Sequence, residues 1–166
     1  PRPRTAVLLG GPTRATRFDR SALDSLLDKL DAWLAREAGS ALICGSPRTP
    51  AEWAGPVRGR YRGEGHLVWM DRDDGDNPYP GVLAWADRII VSPDSVNMIS
   101  EACATAAPVF VAEPDRATGR IRKFIQSLQS RGRVRALTGD GAPFDAVPLD
   151  KTRRIAALVR ERLRFR

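Results

Sequence analysis

The residues best suited to chemistry run in the order Asp94-Ser95-Val96-Asn97-Met98-Ile99-Ser100-Glu101. Asp94 or Ser95 can cap a helix here. The backbone N–H groups that follow then point outward beside the positive end of the helix dipole, a geometry that favours phosphate. Asn97 and Glu101 fall one turn apart on one face, and a carboxylate one to two turns in from such a terminus can accept hydrogen bonds from ribose hydroxyls. An ordinary capped helix with a solvated Glu101 accounts for the same spacing. Gly10-Gly11-Pro12-Thr13 can let backbone approach a ligand, since glycine carries no Cβ, or can be a plain turn at a strand end. Ser46, Arg48 and Thr49 stand at the next strand end. There Arg48 offers a planar donor fork to an anion, unless it is a solvated loop charge. Asp76-Asn77-Pro78-Tyr79 sets an aromatic beside polar groups, in a composition that also makes simple turns. Glu113, Asp115 and Lys123 lie near a further strand end, and their spacing assigns them nothing.

Several chemistries lack their residues. The dinucleotide fingerprint GxGxxG, a Walker lysine, a Ser/His/Asp order and paired carboxylates of acid-base geometry are all missing. Cys44 and Cys103 lie in apolar runs and read as small buried hydrophobes, and His66, the only histidine, cannot complete a metal cluster with them. No metal or cofactor is expected. The chain has 166 residues and a formal charge of +7, which raises nucleic acid as a partner. All but three of its 27 basic residues are arginine, however, and they are spread from Arg2 to Arg166 with no dense basic stripe, which disfavours that partner. No window reaches the roughly 18 apolar residues that span a membrane, and no signal peptide opens the chain. We expect a cytoplasmic location, with peripheral membrane attachment as the alternative. The first residue is Pro1, not Met, so we expect a piece of a longer protein.

The elements that must position these residues alternate between short β-branched runs and longer helical segments, the pattern of a mostly parallel α/β sheet. Strands are expected over 5–9, 40–44, 66–70, 88–91, 109–111 and 134–137. Helices are expected over 80–86, 95–105, 120–130 and 151–165, and in the segment carrying Leu23, Leu26, Leu27, Leu30, Trp33 and Leu34. Thr49, Pro50 and Glu52 predict a short helix closed by a capping box. Residues 55–65, with four glycines among Arg58, Arg60 and Arg62, predict an exposed loop. In the helix after Asp94, Val96, Ile99, Cys103 and Ala106 should face the sheet. The fold class is therefore Rossmann-like, one domain over 1–166, with ligands expected at the carboxyl edge of about six strands.

Taken in order, the blocks Leu8-Leu9-Gly10-Gly11, Ser46-Pro47-Arg48-Thr49-Pro50, Gly75-Asp76-Asn77-Pro78-Tyr79, Ala86-Asp87, Asp94 through Ala102 and Pro108-Val109 resemble the ELM family, named for a plant mitochondrial fission factor. The match covers about 5–135. Family members are similar to two-domain glycosyltransferases of the GT-B architecture, and this chain corresponds to their carboxyl-terminal half. The resemblance implies a nucleoside-diphosphate-sugar as ligand. It implies phosphate at Ser95 and Val96, with Gly10, Gly11, Ser46, Arg48, Thr49, Asp94, Asn97 and Met98 around it, ribose at Glu101, and sugar or base against Asn77 and Tyr79. It implies that the acceptor site and general base lie on a missing amino-terminal domain. Pro47 departs from the family, which more often has a second arginine there, and this puts a paired-arginine clamp in doubt. Ala106-Ala107 departs where a glycine often precedes the Pro-Val strand. A non-catalytic scaffold domain of the same family and a nucleotide-sugar epimerase are the competing implications.

Overall fold

The computed structural model describes residues 1–139 and 141–149; the helix expected over 151–165 lies outside the described residues. Six strands, β1 (Arg4–Leu9), β2 (Ser40–Gly45), β3 (Leu67–Trp69), β4 (Arg88–Val91), β5 (Val109–Val111) and β6 (Val134–Ala136), form one sheet in the order β3-β2-β1-β4-β5-β6. Every neighbouring pair is parallel. Such a sheet is buried on both faces, which is why its strands read as continuous apolar runs. Among the described residues, five α-helices supply the cover: α1 (Arg20–Glu37), α2 (Ala54–Arg60), α3 (Tyr79–Trp85), α4 (Val96–Ala104) and α5 (Gly119–Ser130).

Alternate residues of each strand feed two separate cores. Val7, Leu9, Ile43, Ile90 and Phe110 pack with Leu23, Leu26, Leu30 and Trp33 of α1 and with Val57 of α2. Ala6, Leu8, Cys44, Ile89, Val91, Val109 and Val111 pack with Val82 of α3, Met98, Ile99 and Cys103 of α4, and Ile125 and Leu128 of α5. The chain runs outward from β1 to β3, returns through α3 to β4 beside β1, and runs outward again. The order thus reverses between β1 and β4, and the carboxyl ends of the strands around that reversal bound a crevice.

Three local expectations are corrected. Residues 55–65 are not all loop. Trp53, Ala54, Val57 and Tyr61 bury an apolar stripe that folds 54–60 into α2, although each interior glycine costs about 1 kcal/mol. Arg60 of that helix reaches Asp28 and Asp31 of α1, and Arg58 reaches Asp71 and Asp74, so neither is a free loop charge. The capping box at Thr49 and Glu52 does not form. A 3₁₀ turn at Ala51–Trp53 starts without a side-chain cap, because the Thr49 hydroxyl donates to the Leu9 carbonyl at 2.7 Å and accepts from the Ser46 N–H at 2.8 Å. Finally, the buried stripe of α4 is Met98, Ile99, Ala102 and Cys103. Val96 is 40% exposed, and Ala106 lies beyond the helix end at Ala104 and is exposed.

Candidate functional site

At the end of β4 the backbone turns through Ser92, Pro93 and Asp94 into α4. Ser95, not Asp94, caps the helix, its Oγ accepting from the Met98 N–H at 3.4 Å. Asp94 does something else. Its fully buried carboxylate accepts from the Gly11 N–H at 3.2 Å, from the Ser92 hydroxyl, and from Nη2 of Arg48 at 2.8 Å. The Ser92 hydroxyl in turn accepts from the Gly10 N–H at 2.8 Å. One carboxylate therefore ties together the ends of β1 and β4 and the loop after β2. A buried negative charge of this kind is poorly suited to touching phosphate and well suited to holding an arginine beside it.

Gly10 and Gly11 are glycines for a reason internal to the protein. A Cβ on Gly10 would overlap the Asp94 carboxylate, and one on Gly11 would overlap the Arg48 carbonyl oxygen. Both residues are buried, so the space a ligand could use is already filled by protein.

Beyond this knot, on the side of α3 and α4, lies an open cleft of about 750 Å³. Ser46, Pro47 and Arg48 form one wall, Ser95, Met98 and Glu101 the opposite one, and Arg72, Asn77 and Tyr79 the rim between β3 and α3. Of the residues singled out in the sequence, the structure gathers Ser46, Arg48, Asn77, Tyr79, Ser95, Met98 and Glu101 here. Gly10, Gly11, Asp94, Val96 and Asn97 do not line it. Thr49 lines a neighbouring groove of about 350 Å³ with Pro50, Ala54, Met70 and Arg72. Trp69, Arg72 and Cys44 line the cleft without having been singled out as contacts. Their common signal is position, since each stands at or just past the carboxyl end of β2 or β3. Arg72 makes no side-chain ion pair or hydrogen bond among the described residues.

Asn77 accepts from the Tyr79 N–H at 2.9 Å and so closes a turn that starts α3. Tyr79 donates its hydroxyl to Oε2 of Glu101 at 2.6 Å, linking the start of α3 to α4 at the cleft lining. Burial, together with the hydrogen bond and charge of Glu101, pushes the phenol pKa up, so the hydroxyl keeps its proton and donates. Burial pushes the Cys44 thiol up to about 12, which removes it as a nucleophile at neutral pH. Two further polar residues that drew notice serve structure: Nδ1 of His66 accepts from the Ala41 N–H, and Glu113 pairs with Lys29 at 2.9 Å.

An open, all-parallel α/β domain with helices on both faces of the sheet and a cleft at the carboxyl edge of its strands belongs to the class of Rossmann-like folds. The chain is a member of the mitochondrial fission ELM1 family, whose model matches residues 1–163. It is 36% identical over 169 residues to the mitochondrial fission protein ELM1 of Arabidopsis thaliana, covering 100% of this chain and 39% of that protein. It is 26% identical over 169 residues to an uncharacterized protein of Rickettsia prowazekii (strain Madrid E), covering 97% of this chain and 47% of the other. The chain thus spans less than half the length of both curated relatives. No solved structure matches it. Among the described residues, no helix is long and apolar enough to cross a membrane.

Proposed function

We propose that the cleft binds a nucleoside-diphosphate-sugar and that the chain is the donor-binding half of a GT-B-like glycosyltransferase. The observation that carries this reading is the convergence of the Ser95-capped start of α4, Arg48, Arg72 and Glu101 on one cleft at the carboxyl edge of the sheet. In this reading the diphosphate lies beside the start of α4, where the Arg48 and Arg72 guanidinium groups and the positive end of the helix dipole neutralise it without a metal. Glu101, just under two turns along the helix, takes the ribose hydroxyls. The acceptor site and the general base belong to the portion of the longer protein that this chain does not cover. Titration calorimetry of the intact protein with uridine, guanosine and cytidine diphosphates tests the reading. Saturable heat with at least one is the expected outcome, and no heat with any at millimolar ligand rejects it.

The name of the Arabidopsis relative favours a second reading, a non-catalytic binding domain in a fission apparatus. A folded, intact protein that captures a protein partner but turns over no sugar donor would support it over the first.

A further inference from the structure

We propose that Tyr79 is a positioning residue that orients Glu101, so that the cleft takes ribonucleoside diphosphates in preference to their 2′-deoxy counterparts. This rests on the nucleotide reading above and goes beyond it. The Asn77 turn sets the first residue of α3, and the half-buried Tyr79 ring packs against the core shared by α3 and α4. From that fixed base the hydroxyl bridges to a helix 22 residues away in the chain. Glu101 is exposed, and the tyrosine is its only hydrogen-bond partner among the described residues. Without it, this long carboxylate would sample many rotamers and would have to be ordered at each binding event. Held through Oε2, it keeps Oε1 and its remaining lone pairs free in the cleft. A ribose cis-diol supplies two donors to that carboxylate, whereas a 2′-deoxyribose supplies one. The phenol itself offers no second acceptor of comparable strength, because it keeps its proton and has spent it on Glu101.

The test compares uridine and guanosine diphosphates, their 2′-deoxy forms and inorganic pyrophosphate in calorimetric titrations of the intact wild-type protein and of Tyr79→Phe, Glu101→Ala and the double variant. Tyr79→Phe should lower the ribo-to-deoxy affinity ratio about five-fold while leaving pyrophosphate affinity within about two-fold. Glu101→Ala should bring the ratio close to one, and adding Tyr79→Phe to it should change nothing further. A wild-type ratio near one, a ratio unchanged in Tyr79→Phe, or a ratio that survives in Glu101→Ala each overturns the positioning role, even if nucleotides bind. Failure of every nucleotide to bind wild-type protein overturns both this proposal and the reading beneath it. If Tyr79→Phe does not fold, Tyr79→Leu takes its place in the same titrations: a lowered ribo-to-deoxy ratio with pyrophosphate affinity retained supports the proposal, and an unchanged ratio overturns it.

Discussion

Gly10 illustrates how a residue can shape a site without touching what the site binds. Its missing side chain leaves room for the Asp94 carboxylate, which holds Arg48 at the cleft wall. Gly10→Ala must displace that carboxylate or bend the end of β1, and overpacking of this kind in a buried setting costs about 2–3 kcal/mol. Urea denaturation should show that loss. It should also show that Asp94→Ala adds less on the Gly10→Ala background than on wild type, because both disturb one network. Full additivity would mean that Gly10 acts independently of Asp94. At the opposite wall, Glu101→Ala should weaken a nucleoside diphosphate more than free pyrophosphate, because only the former carries the ribose. Equal losses would remove the ribose role from Glu101 and leave the anion site standing.

Among the elements, α4 carries one wall of the cleft, and its rear end is anchored by Arg133, the residue just before β6. This almost fully buried guanidinium donates to the carbonyls of Ala102, Cys103, Thr105 and Ala107, placing a positive charge against the carbonyl-rich end of the helix. Arg133→Met keeps the bulk but removes the donor to the Thr105 and Ala107 carbonyls, while Ala102 keeps Thr105 and Cys103 keeps the Leu149 N–H as donors, so it should lower stability by about 2–3 kcal/mol. Arg133→Lys should recover only part of that loss, since an ammonium cannot span four acceptors with a planar fork. Thermal unfolding of the two variants checks both the size and the order. Nothing in the sequence around Arg-Gly-Arg-Val marks this role, because the partners lie 26 to 31 residues back along the chain. The strands were legible for the opposite reason: a parallel sheet buried on both faces writes itself as β-branched runs, and Arg88–Val91 and Val109–Val111 needed no other clue. Helix α2 was illegible because Gly55 and Gly59 mask a stripe that only tertiary burial of Trp53, Val57 and Tyr61 makes decisive. The cleft residues Ser95, Glu101 and Arg48 were visible from type and from position at strand ends. The Tyr79–Glu101 bridge and the Asp94 knot depend on contacts across the fold that no local spacing encodes.

Across the whole molecule, the same carboxylates that lock distant segments together also determine how it responds to acid. Glu113, just after β5, has its pKa lowered by the hydrogen bond from Lys29 of α1. Asp74, after β3, has its pKa lowered by the hydrogen bonds from Arg58 of α2. At Glu37, burial opposes ionisation, but Arg88 of β4 and Arg36 outweigh it, and the pKa again falls. Each group is more acidic in the folded state than in the unfolded chain, where Asp titrates near 3.9 and Glu near 4.3. The stability they contribute is therefore fully present above about pH 5 and is lost as the pH falls through their depressed folded values. Protonation also strips negative charge from a chain that already carries a formal +7, so repulsion among its arginines grows in the same window. The urea midpoint should hold nearly level from pH 7 to about pH 5 and fall steeply below about pH 4. Glu113→Gln should start from a lower midpoint at pH 7 and show a shallower acid limb, because one proton-linked contribution is gone. If that variant lost stability equally at every pH, the Lys29 contact would be acting through packing alone, and the acid response would have to come from other carboxylates, Asp74 and Glu37 among them.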